Sequence, residues 1–397
     1  MANERKSCQL SYANRLGQDN LKNCDSSQYK TEFEEDKFKL RRDLFTYILE
    51  STSNEREALK HNLQNKYESL SEWNAHYDYA NWSMVEDHFN SIWLDLEHEM
   101  YLGVEYGLYE EVKKLFLELR NFLQGTDRIK DRIFFAAWLR REAENLGDLE
   151  GMCFATSSLV WSYTSSGHYK DLEKAYALWH ELILYLLPKD SSVVCEDCKS
   201  LKDTLKCSLL YAELLMEVQE NGVRLAIRKR EFDKAFMRIE KGKSTIKELF
   251  EGKLVSQRLR ERCYLAFNYH KGIVFYLMEE YREAEKLFQN ISERAEIIGW
   301  NRAIKGAKSW LATLAMEKED HSKCEDILRG ISTQEETNMH DKRDVLCYLI
   351  RSENFHKAGK QEQAQESKEI ALSIFKKCSK NELESGIDSL VLLSSKK

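Results

Sequence analysis

Cys195 and Cys198 form a C-x-x-C pair, with Cys207 nine residues further on and His180 upstream. A structural zinc ion takes four ligands in tetrahedral array, and the spacing of a third and fourth is missing here. His180 completes a set only if the intervening loop folds back, and no βαβ pattern surrounds the pair as a redox motif requires. Untethered thiols are the simpler reading. Gly242-Lys243-Ser244-Thr245 ends like a phosphate-binding loop, but Met237 stands where that loop needs its first glycine. The tetrapeptide therefore reads as a turn between helices. His98-Glu99 and His180-Glu181 lack the second histidine four residues on that a zinc-protease helix carries. Acidic pairs such as Glu34-Glu35 and Glu110-Glu111 diverge on a helix and cannot converge on one substrate atom. No catalytic residue, metal site or cofactor is assigned from these motifs.

The elements that would position such side chains carry the stronger signal. YLMEEYREAEKLF, AMEKEDHSKCEDIL and FHKAGKQEQAQESKEIA share a small residue, Ala284, Cys324 and Ala364, at intervals of 40 residues. Each lies twelve residues after another small residue, Gly272, Ala312 and Ser352. That distance packs two antiparallel helices tightly through a short turn. One such hairpin cannot hide its apolar face, so neighbouring hairpins must stack into an elongated array. Further units center on Leu172 and Ala235, at longer intervals, so the repeats are degenerate.

Composition agrees. Pro188 is the only proline in 397 residues, so little interrupts helix formation. Charged residues make up 32% of the chain, which suits amphipathic helices with solvated outer faces. The net charge of −7 is mixed along the chain and gives no reason to expect a nucleic-acid partner. The basic run from Arg224 to Arg230 is followed by Glu231 and Asp233 and reads as a solvated helix face. No apolar stretch approaches the ~20 residues that span a bilayer, and the first residues lack a signal-peptide core. Ten cysteines without a compact framework are expected as reduced thiols, so a cytoplasmic location with no membrane partner is expected.

The pattern divides the chain into a flexible arm over residues 1–30, a leading helical segment over 31–105 and a repeat array over 106–397. Trp82, Phe89, Trp93 and Leu96 recur at helical spacing and are expected in the core.

The spacing of Gly272, Phe275, Tyr281, Ala284 and Phe288 resembles the tetratricopeptide repeat (TPR), although the period of 40 exceeds that repeat's usual length of about 34. The central region, from WSMVEDHFNSIWLDLEHEMYLGVEYGLYEEVKKLF to LVWSYTSSGHYKDLEKA, is similar to the arrays of bacterial STAND signalling ATPases of the NB-ARC type. Glu86, Asn90, Gly107, Leu146, Gly147 and Asp148 carry that similarity. It implies a sensing role, and no room remains for a nucleotide-binding domain. The implied partner is thus a separate ATPase or effector subunit.

Together these readings predict an all-α, TPR-like α-solenoid, a right-handed superhelix of antiparallel helix pairs without enzymatic activity, capturing a protein or peptide ligand in its concave groove. By the repeat alignment the groove residues are Trp161 and Thr164; Tyr269, Ile273 and Tyr276; Ser309, Thr313 and Met316; Leu349, Glu353 and His356. Two alternatives stay open. One is an effector or enzyme with a site in the aromatic region 77–109 or a zinc ion in the cysteine loop. The other is a peptide-pheromone receptor built from a helical bundle and TPR units.

Overall fold

The computed structural model describes residues 53–75, 82–125, 128–165, 169–186, 209–251, 257–332 and 342–378. Cys195, Cys198 and Cys207 lie outside these residues, as does the arm over 1–30.

Fourteen helices follow one another among the described residues: α1 Ser53–Ala75, α2 Trp82–Glu105, α3 Tyr109–Gly125, α4 Ile129–Leu146, α5 Leu149–Ser165, α6 Tyr169–Leu186 and α7 Leu209–Arg228. They continue as α8 Phe232–Glu251, α9 Gln257–Leu277, α10 Tyr281–Ile297, α11 Asn301–Glu317, α12 His321–Ser332, α13 Lys342–Lys357 and α14 Gln361–Cys378. Every helix packs on the next in the chain. The other substantial contacts join first helices of pairs, α1 with α3, α5 with α7, α7 with α9 and α11 with α13. No two even-numbered helices touch to that degree among the described residues. The stack therefore bends with its odd-numbered helices inside, and this assigns each helix its place in a pair back to α1. The chain is an all-α solenoid, with no strand among the described residues.

One turn recurs among the described residues, both within pairs and between them. After α9, Glu280 N–H donates to Phe275 O and Glu279 N–H to Tyr276 O; after α11, Asp320 donates to Ala315 O and Glu319 to Met316 O. After α13, Lys360 donates to Phe355 O and Gly359 to His356 O. This is the Schellman pattern, which needs one left-handed residue. Gly107, Gly147, Gly299 and Gly359 supply it without strain, whereas Arg230, Glu279 and Glu319 adopt it with φ of 56°, 65° and 59°.

The small residues act as expected. A Cβ on Gly272 would stand 2.8 Å from Phe288 Cζ, so glycine is what lets α9 seat that ring. Ser352 Oγ donates to Ala364 O across the last hairpin at 2.7 Å. Ala284 and Cys324 are fully buried. Phe89, Trp93 and Leu96 are buried as their spacing predicts, while the Trp82 side chain lies outside the described residues.

Two readings need correction. Gly242 is not in a turn: α8 runs straight through Gly242-Lys243-Ser244-Thr245, with Thr245 Oγ1 donating to Lys241 O. Glycine is needed there because Phe267 of α9 would meet a Cβ at 2.3 Å. Nor is the basic run wholly a solvated face. Arg224 is buried, while Lys229 lies over the Tyr176 ring and pairs with Glu173.

Candidate ligand site on the inner face

The register of α7 sets Glu213, Glu217, Glu220 and Arg224 on one stripe at helical spacing. This stripe faces side chains from several other pairs. Arg120 on α3 places Nη2 2.5 Å from Glu213 and Nη1 3.9 Å from Glu217. Arg132 on α4 reaches Glu217 at 3.3 Å and Ser158 Oγ on α5 at 3.4 Å. Glu220 lies 3.0 Å from His270 Nε2 on α9. The contact from α3 to α7 skips the α5–α6 pair, which only the inside of a bent stack allows.

Trp161 on α5 stands between two guanidinium groups. Arg132 lies 4.5 Å and Arg224 5.2 Å from its ring centroid, close enough for cation–π attraction. Arg224 also donates to Ser165 Oγ at 2.7 Å. Arg132 is 0% exposed. Its Nε and Nη1, and Nη1 of Arg120, have no hydrogen-bond acceptor.

The electrostatics follow from this crowding. Burial pushes the Arg132 guanidinium down to about 10; Glu217 opposes the fall, and Arg120, Arg224 and Arg302 add to it. Burial would raise the Glu220 carboxyl, but the hydrogen bond and charge of His270 outweigh it, with Arg224 and Arg262, and hold it at about 2. Its side chain nonetheless keeps 39% exposure, so this carboxylate faces water from within the charged ring. Burial pushes the Cys263 thiol up to about 12, with Arg262 opposing. A thiol so held is a poor nucleophile.

Of the groove residues chosen from sequence, Trp161 belongs to this cluster. Thr164, Ile273, Tyr276, Ser309, Thr313 and Met316 are buried within the helix stack. Thr164, Ser309 and Thr313 each donate to the carbonyl four residues back, which is how a hydroxyl is satisfied inside a helix packing face. Tyr276 packs 5.0 Å from Trp310 and donates to Glu317, and the half-buried Tyr269 accepts from Trp310 Nε1 at 2.9 Å. Leu349, Glu353 and His356 do come together, with Gln361, Gln365 and Lys368, around a cavity of ≈ 330 Å³ between α13 and α14.

Sequence reasoning passed over Arg120, Arg132 and the three glutamates. Only the i, i+4, i+7 spacing of Glu213, Glu217 and Glu220 hints at them. Among the described residues no three His, Cys, Asp or Glu side chains converge as metal ligands would. No described helix is long and apolar enough to cross a membrane.

Of the residues quoted for the signalling-array resemblance, Asn90 and Asp148 make contacts between helices. Asp148 caps α5 through Gly151 N–H and accepts from Tyr109 Oη and Lys113 Nζ, both at 2.7 Å. Asn90 accepts from Arg128.

Fold and inner face define a helical-repeat solenoid. No protein-family model matches the chain, and no curated protein does. Among solved structures, the crystal structure of BtubC (BKLC) from P. vanneervenii overlaps 62% of this chain and 91% of its own, at 16% identity and a TM-score of 0.41. An overlap that loose transfers nothing to this chain.

Proposed function

We propose that the chain is a non-enzymatic, TPR-like scaffold that holds a segment of a protein partner along the inner face of its solenoid, and that it acts as a sensor for a separate ATPase or effector. The observation that supports this most directly is the charged inner face itself. Polar side chains from α3, α4, α5, α7 and α9 converge there, and Glu220 stays open to water. A partner touching several units at once would alter the pitch of the array, because each unit is held mainly by its neighbors.

Peptides selected by display on the full chain test the reading. Binders should lose about tenfold or more in affinity on the inner-face variant Glu220→Lys, at the exposed carboxylate of the cluster. They should keep it on Met237→Glu, whose site on α8 is 64% exposed. Binders that ignore the first substitution and fail on the second would place the working surface outside. Small-angle scattering that stays unchanged on saturation with a binder would refute the change of pitch.

A further inference from the structure

The carboxylate of Glu217 is held by thin contacts, 3.3 Å from Arg132 and 3.9 Å from Arg120. Around it, two N–H groups of Arg132 and one N–H side of Arg120 are buried without acceptors. A buried donor without an acceptor is costly, and guanidinium groups favour oxyanions that take two N–H bonds at once. Both arginines meet the Glu217 carboxylate from the two helices of one pair, α3 and α4. Glu217 fills it incompletely, with a side chain that is 19% exposed and so has a way out. The Trp161 ring lies against the Arg132 guanidinium, 4.5 Å from it.

We propose that the space occupied by the Glu217 carboxylate, between Arg120 and Arg132 and beside Trp161, is a binding site for an oxyanion carried by a ligand, a carboxylate or a phosphate, and that Glu217 is its internal competitor. This deepens the groove reading and rests on it only for the identity of the carrier. Binding exchanges one carboxylate for another anion, so Arg132 and Arg120 stay neutralised while the freed Glu217 swings to water. The tie between α7 and the α3–α4 pair then passes through the ligand.

The test is calorimetric titration of the full chain with inorganic pyrophosphate and with a capped tetraglutamate peptide, at constant ionic strength. Glu217→Gln removes the competitor and should tighten both probes about tenfold. Arg120→Gln should weaken them about tenfold or more. Arg132 is too deeply packed to serve, so Arg120 is the variant of choice, with thermal melts confirming that both variants fold. Pyrophosphate that binds the tighter marks a phosphate carrier, and the peptide a carboxylate-bearing chain; either result supports the site. No saturable binding to Glu217→Gln, or equal binding to wild type and Arg120→Gln, would overturn it. Display-selected peptides that still bind Arg120→Gln at full strength would leave the groove reading standing and sink the oxyanion site alone.

Discussion

The center of the solenoid and its C-terminal pairs are tied over different ranges of the chain. From α9 to α14 the joints are local: Trp310 stacks on Phe288 with centroids 5.6 Å apart, Met316, Leu346, Cys347 and Ile350 share one cluster, and the ion pair of Lys305 with Asp344 joins adjacent pairs. Around α3 to α7 the core is also apolar, but ion pairs tie residues 93 and 85 positions apart in the chain, Arg120 with Glu213 and Arg132 with Glu217. A local apolar joint repeats with the chain and fixes each unit on the next. A charged tie that skips a unit fixes curvature, and it responds to pH, salt and anions.

The sharpest way to break this contrast is Trp310→Ala. Trp310 is 2% exposed and meets Tyr276, Phe288 and the Tyr269 hydroxyl, so its loss should cost about 3–5 kcal/mol. Denaturant titration would measure it. Hydrogen exchange should rise in α9 to α12 while α3 to α5 stay protected, and uniform loss of protection would mean that the two regions are one cooperative unit.

Next in size is Gly242→Ala, at the joint between the regions. The new Cβ would meet the Phe267 ring at 2.3 Å, an overpacking that should cost about 1–3 kcal/mol. An unchanged melting temperature would show that α8 and α9 are free to part.

Acid should loosen the center. Glu220 is held at about 2 in the fold against an ordinary 4.5, and Asp148 is also held below its usual range: burial would raise it, but Gly151 N–H, Lys113 and Tyr109 prevail. A carboxylate lowered by folding adds stability above its unfolded pKa and loses it as pH falls through the folded one. The loss should thus develop from about pH 4.5 down to about 2, and Glu220→Gln should flatten it. Protection factors in α3 to α7, corrected for the intrinsic exchange rate, that are equal at both ends of that window would contradict the assignment.

The smallest effect is expected at the hairpin turns. Glu279→Gly and Glu319→Gly relieve a left-handed backbone at φ of 65° and 59°. Part of that relief is lost to the freedom of glycine when unfolded, so each should gain at most about 1 kcal/mol in thermal melts. A loss instead would show that these glutamates contribute contacts of their own.

How much was legible follows from the same contrast. Ala284, Cys324 and Ala364 announced the hairpins because each packs within its own unit and the period of 40 repeats the requirement. The inner face was harder to read. A first helix in a solenoid packs on its own partner and on neighbouring pairs, so its apolar stripe is wide. Periodicity then cannot tell which edge faces inward. Tyr276 and Ile273 are buried for that reason, and Ser309 and Thr313 can join them because their hydroxyls bond backward within the helix.

The sequence by itself determined an all-α chain of paired helices, since helix formation and hairpin packing depend on residues a few positions to a few turns apart. Only the tertiary structure decided that Arg120 and Arg132 would meet Glu217 beside Trp161. Those side chains come from segments about ninety residues apart, and their distance depends on the curvature summed over the units between them, which no local pattern encodes.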